Sequence, residues 1–233
     1  ISETNTYYEN RGETEFEDAT AASGVGLPSI PYTGFGDAFT DLDNDGDLDL
    51  VVVNGAVKRR PASIDPSDSS FWSGYAEPNL VLENLGDGTF ADISDELEGW
   101  SDVVEVSRGL VPADFDDDGD LDLLITQFEG PVRLWRNEGG NAMSWLHVRT
   151  LDPKLGRETP GAQVRVRIGD RELLRLVEAS SGYLTSGPGG AWFGLGAADR
   201  FDSIEVRWPD GSREGFPGGE ARRRVTLRRG EGS

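Results

Sequence analysis

Apolar residues along this chain fall in short runs bounded by Gly, Asp and Asn. Leu50-Val51-Val52-Val53 and Leu80-Val81-Leu82 are of this kind, and no run is long enough for an extended helix. Further along, between residues 142 and 229, the pattern becomes alternation. Gln163-Val-Arg-Val-Arg-Ile168 and Ser203-Ile-Glu-Val-Arg-Trp208 alternate at period two, with Gly169-Asp170 and Pro209-Asp210-Gly211 as hairpin turns. The expectation is an all-β protein of two parts. Residues 1–140 form repeated strand units, and residues 141–233 form a β-sandwich-like domain.

The front part repeats itself. Asn5 to Thr20 matches Asn79 to Ser94 at a shift of 74 positions, sharing an Asn-x-Gly turn and a strand that ends on Phe and Asp. A second pair recurs at a shift of 73: Asp41-Leu-Asp43-Asn-Asp45-Gly-Asp47-Leu-Asp49 and Asp114-Phe-Asp116-Asp-Asp118-Gly-Asp120-Leu-Asp122. Each unit reads as a hairpin, a linker, an Asp loop and an apolar strand. Val132 to Gly139 repeats only the first strand and turn, which leaves about two units and a stub.

Five acids in nine residues repel one another severely unless a cation sits among them. Calcium takes six to eight hard oxygens at about 2.3–2.6 Å, and alternate carboxylates can wrap it while a glycine at the sixth position turns the chain. Two Ca2+ sites are therefore expected. In the first, Asp41, Asp43, Asp45 and Asp49 ligate through side chains and Asp47 through its carbonyl. In the second, Asp114, Asp116, Asp118 and Asp122 do so, with Asp120 through its carbonyl. Asn44 and Asp117 should face solvent. Magnesium demands tighter octahedral geometry, and a chain with no Cys and one His argues against zinc.

Charge divides the chain at the same place as pattern. Of the net −21, residues 1–139 carry −24 (31 acids, 7 Lys/Arg) and residues 140–233 carry +3 (12 acids, 15 Lys/Arg). So acidic a front excludes nucleic acid and anionic lipid as partners. No segment approaches the roughly 20 apolar residues of a membrane span. The basic tail, Arg222-Arg223-Arg224 with Arg228 and Arg229, reads as a solvated strand edge or as a contact with another copy's acidic front. The start at Ile1 suggests removal of a leader. Loops of this kind fill readily at extracellular millimolar calcium, so a secreted location is expected.

Residues 79–92 and the Asp loops resemble FG-GAP/VCBS repeats, whose blades build β-propellers. Beyond Asn141 the chain resembles the ASPIC/UnbV domain of the cartilage acidic protein family, through Trp145-Leu146, Pro160-Gly161-Ala162-x-Val164, Ser181-Gly-Tyr183, Phe193-Gly-Leu-Gly196 and Val206-Arg-Trp208-Pro209-Asp210-Gly211. Two units cannot close a ring of four to eight blades. The resemblance thus implies an incomplete propeller-like stack. The loop Gly156-Arg157-Glu158-Thr159-Pro160 also departs from the family's usual residues.

No catalytic constellation stands out. His147 lies in an expected strand as a face residue, and the clustered carboxylates belong to the Asp loops. Gly194-Leu-Gly196 is too short for a nucleotide motif and reads as a turn. The expected function is a secreted, calcium-stiffened structural protein that assembles with copies of itself into a homo-oligomer or polymer, the hairpin from Asn5 to Phe16 adding to a neighbour's open unit. Alternatives are an adhesion module whose Trp72, Tyr75 and Trp100 meet a protein or glycan, and, through the likeness to UnbV, a biosynthetic enzyme.

Overall fold

A computed structural model describes residues 3–12, 14–59, 71–180 and 182–233. It is all-β. The single α-helix among the described residues is one turn, Gly26–Ser29.

The chain opens with a hairpin of β1 (Tyr8–Gly12) and β2 (Glu15–Asp18), a two-stranded antiparallel sheet to which no further described strand is bonded. Next come β3 (Gly34–Thr40), β4 (Asp49–Asn54), β5 (Glu77–Pro78), β6 (Leu80–Asn84), β7 (Phe90–Asp92) and β8 (Val104–Glu105). Strands β3, β4, β6 and β7 form an antiparallel four-stranded sheet in that order, while β5 and β8 pair as a ribbon. A second, three-stranded antiparallel sheet follows, made by β9 (Ser107–Ala113), β10 (Asp122–Gln127) and β11 (Arg133–Trp135). The two Asp loops are the β3–β4 and β9–β10 connections.

This order corrects the unit expected from sequence. The hairpin of residues 79–92 completes the sheet of the Asp loop that precedes it, instead of starting a new unit. Every repeat closes its third strand with the same device: the side-chain Oδ1 of Asn10, Asn84 or Asn137 accepts the N–H of Gly12, Gly86 or Gly139 at 2.9, 3.0 and 3.2 Å.

The sheets stack through apolar faces. Leu50, Val52, Leu80, Leu82 and Phe90 on one face of the central sheet pack with Val25 beneath Tyr7 and Tyr32. Val51, Val53 and Val81 on its other face meet Leu110, Leu123 and Ile125 of the second sheet, with Trp100 and Trp135. Each such side chain withdrawn from water contributes about 1.5–3 kcal/mol. Trp100, expected at a ligand-binding surface, is instead core: it is 4 % exposed and donates from Nε1 to the carbonyl of Asn79. Gly36 lets β3 press against β9, since a Cβ there would strike the carbonyl of Arg108 and the amide of Leu110.

The remaining strands are β12 (Ser144–Asp152), β13 (Arg157–Glu158), β14 (Gln163–Ile168), β15 (Arg171–Leu176), β16 (Ala191–Gly196), β17 (Arg200–Arg207), β18 (Arg213–Glu220) and β19 (Arg223–Arg228). In one sheet β12 pairs antiparallel with β13 and β16 and parallel with β19; the other sheet has the order β15-β14-β17-β18. Their inward residues, among them Leu146, Val148, Val164, Val166, Phe193, Ile204, Val206 and Trp208, share one core, as the period-two alternation anticipates. The Gly194-Leu-Gly196 segment is not a turn but the end of β16, with Leu195 buried beneath it. No described helix is long and apolar enough to cross a membrane.

Candidate metal centres

Both Asp loops fold the same way because both carry a left-handed residue at the fourth position and a glycine at the sixth. Asn44 and Asp117 have φ of 61° and 64°, and Gly46 and Gly119 have φ of 107° and 102°. Asn and Asp tolerate this region better than other side chains, and glycine enters it freely. The bend gathers the carboxylates of Asp41, Asp43 and Asp45 to within 4.8 Å of one another, and likewise those of Asp114, Asp116 and Asp118.

The other acids are placed differently. Asp49 spends both oxygens on backbone amides, of Leu42 at 3.0 Å and Asn84 at 2.9 Å. Asp122 does the same with Phe115 and Asn137, at 3.0 and 2.9 Å. Each of these carboxylates thereby pins its loop to the third strand of its sheet. The amide of Asp47 donates to Asp45 Oδ1 at 2.7 Å, and the amide of Asp120 donates to Asp118 Oδ1 at 3.2 Å.

Two buried oxygens, Asp41 Oδ1 and Asp120 Oδ1, accept no hydrogen bond. An anion so placed is costly. Burial pushes the Asp41 carboxyl up to about 7, against the pull of the Arg175 guanidinium and with a further upward push from Asp45 and Asp43. Burial likewise raises Asp43, Asp114 and Asp120, and lifts Asp49 to about 6. A cation in each triad would offset the cost of charging the triad carboxylates. The donor set is hard oxygen throughout, with neither nitrogen nor sulfur, and so fits calcium.

The loops are also the seat on which the sandwich docks. Asn44 does not face solvent: it is fully buried, its Nδ2 donates to the carbonyls of Gly119 and Gly140 at 3.0 Å each, and its Oδ1 accepts from Trp192 Nε1 at 2.9 Å. The sharp packing of β16 against this loop excluded the expected exposure. The amide of Gly194 donates to Asp41 Oδ2 at 3.0 Å, and that of Gly196 to the Asn44 carbonyl at 2.8 Å. From β15, Arg171 and Arg175 donate to the carbonyls of Asp45 and Gly46 at 3.0 and 2.8 Å.

The second loop is held by the basic tail. Arg224 donates to Asp114 Oδ2 at 2.7 Å and pairs with Asp117, so this arginine reaches the acidic front of its own chain. Asp117 itself is exposed, as expected. Trp145 covers Gly119 so closely that any Cβ there would enter its indole, and it stacks on Trp192 with ring centroids 5.0 Å apart and planes at 11°. Asn141 donates to Asp118 and Asp120 at 2.8 and 3.1 Å.

Sequence reasoning found the acids and missed their clamps. Arg171 and Arg175 sit on a strand where arginine reads as a solvated face, and Arg224 belongs to the tail for which contact with an acidic front was expected, but with that of another copy. One signal was present: Asn44 is the single amide in a loop whose repeat has Asp117 at that place.

Residues 153–233 match the family described as ASPIC and UnbV. Cartilage acidic protein 1 of Homo sapiens is 28 % identical over 252 residues, an alignment covering 89 % of this chain and 37 % of that protein. The Xenopus tropicalis protein of the same name is 29 % identical, over 89 % and 38 %. The likeness therefore runs through both parts of the chain, and the chain spans less than two fifths of the length of these relatives.

Proposed function

We propose that this chain is an extracellular, calcium-binding structural protein in which two permanent ions stiffen a propeller-like FG-GAP/VCBS-type stack and fix the sandwich to it. The observation that carries the reading is the pair of acid triads under the sandwich's docking residues, with an unsatisfied buried oxygen in the first, Asp41 Oδ1, and another beside the second, Asp120 Oδ1. Asp41, Asp43 and Asp45, and Asp114, Asp116 and Asp118, would hold the ions; a bound ion supplies charge neutralisation and cross-linking, with no reaction. Arg175 and Arg224 then position the sandwich against loops whose shape the ions maintain. Millimolar extracellular calcium suits short carboxylate loops of this kind, and the relatives are named for cartilage.

Thermal unfolding in calcium and in EGTA tests this. Ligand linkage at saturating calcium predicts several kcal/mol of added stability and a large fall in Tm on chelation; an unchanged Tm would end the reading. One observation favours a second role as a binding module. Phe71, Trp72, Tyr75 and Phe128 form a surface cluster with ring centroids 4.6–5.8 Å apart, and Phe71 and Phe128 are exposed. A glycan array probed with the chain and with a Phe71→Ser, Phe128→Ser variant tests it, equal signals counting against.

A further inference from the structure

The repeats say which residues a complete stack buries. By the 73- and 74-residue shifts, Leu124 stands where Val51 stands, Tyr8 where Leu82 stands and Phe16 where Phe90 stands. Asn84 and Asn137 make the same bond to Asp49 and Asp122, which places Leu134 where Val81 stands. Val81 and Leu82 are each 1 % exposed and Phe90 is 9 % exposed; Leu134 is 53 %, Tyr8 59 % and Phe16 65 % exposed. The difference is only that Tyr8 and Phe16 point away from the stack at its front, and Leu124 and Leu134 point away at its back.

These two faces are of opposite type. Inside the molecule the Val51/Val81 face of the central sheet receives the Leu123/Ile125/Trp135 face of the second, and the Leu50/Leu82/Phe90 face receives Tyr7 of the hairpin. Each internal contact joins one back-type face to one front-type face. We propose that copies of the chain stack head to tail, the Tyr8/Phe16 face of one hairpin seating on the Leu124/Leu134 face of the next molecule's second sheet. This deepens the structural role above and rests on it.

The back face has a matching shape. Over its inner strand, β9, the turn that follows Gly182 already lies close: Thr185 Oγ1 donates to the carbonyl of Leu110 at 3.2 Å, and a Cβ on Gly109 would strike Thr185. Beyond it, Leu124 on the central strand β10 is half-buried and Leu134 on the edge strand β11 is exposed. A hairpin aligned with β6 and β7 brings only outer strands, so it fills what Thr185 leaves. Strand addition of the Asn5–Phe16 hairpin to a neighbour's open unit, expected from sequence, is disfavoured at the edge of β11 because β11 already occupies in its own sheet the place that β1 has in the hairpin. A contact that joins unlike faces is heterologous and propagates into a ring or an open filament.

Sedimentation velocity of the chain in calcium, from about 1 μM to about 1 mM, spans the affinities expected of such an interface. The expected result is species that grow with concentration beyond a dimer. Tyr8→Ser with Phe16→Ser, and separately Leu134→Glu, alter exposed side chains and should each give a folded monomer, checked by an unchanged Tm. Mixed one to one they should give a heterodimer and nothing larger, since each retains the face the other lacks. A wild-type chain that stays monomeric, a front variant that associates like wild type, or a mixture with no heterodimer would each overturn the proposal. Loss of calcium stabilisation with assembly intact would instead fault the calcium reading alone.

Discussion

Asn44→Ala is the sharpest perturbation of the seam between the repeats and the sandwich. It removes two donors from buried carbonyls, those of Gly119 and Gly140, and the acceptor of the Trp192 indole. Each buried hydrogen bond is worth about 0.5–1.5 kcal/mol net, and a partner left unsatisfied costs more. Alanine must also hold a φ of 61°, at about 1–2 kcal/mol. The total is about 3–6 kcal/mol, a large share of the 5–15 kcal/mol that folded domains typically possess. Denaturant unfolding followed by tryptophan fluorescence suits the question because Trp192 and Trp145 stack at the seam. Asn44→Gly separates the two causes: it keeps the hydrogen-bond loss but recovers about 1 kcal/mol of backbone cost. A loss below about 1 kcal/mol for Asn44→Ala, or a glycine variant worse than the alanine one, would refute the packing argument.

Other outcomes follow from the same contacts. Gly194→Ala places a Cβ against Asp41 Oδ2 and the Asn44 backbone and should cost about 1–3 kcal/mol or more in denaturant unfolding, whereas Gly139→Ala, with nothing within 4 Å, should be near neutral. Arg175→Met removes the guanidinium 3.8 Å from Asp41 and a bond to the Gly46 carbonyl, and should lower stability by about 2–4 kcal/mol by the same assay. In the calcium-free protein, Asp41 at about 7 and Asp49 at about 6 keep protons that the unfolded chain, with carboxyls near 3.8, releases earlier. The stability these groups contribute is whole below about pH 4 and lost as pH climbs through 6 and 7, so the Tm in EGTA should fall between about pH 5 and about pH 8. Calcium competes with those protons, and at saturation the fall should vanish; a Tm in EGTA that rises over this range would contradict the burial of Asp41.

Much of the architecture was legible in the chain because it repeats. The alternation at 163–168 and 203–208 marked strands of the sandwich, and the Asp spacing marked the loops. The phase of the repeat was not legible, since a hairpin and an Asp loop in tandem read equally well in either order until β4 is seen to bond β6. Trp100 and Asn44 were misplaced for a related reason: burial by a second sheet or a second domain leaves no local periodicity. Arg171 and Arg175 were hidden because a strand arginine faces outward whether water or another domain lies there, and for Arg224 the contact with an acidic front was expected but assigned to another copy. Asp49 and Asp122 show the limit of motif reasoning, because a carboxylate at a ligand position can serve the backbone of its own loop.

Calorimetric titration of calcium into the chelator-stripped chain tests the central claim most directly. Wild type should take up two equivalents, while Asp43→Asn and Asp116→Asn should each weaken one site and leave the other, as the separate triads require. Absence of binding at extracellular millimolar calcium, or two equivalents that both survive the paired substitution unchanged, would contradict it.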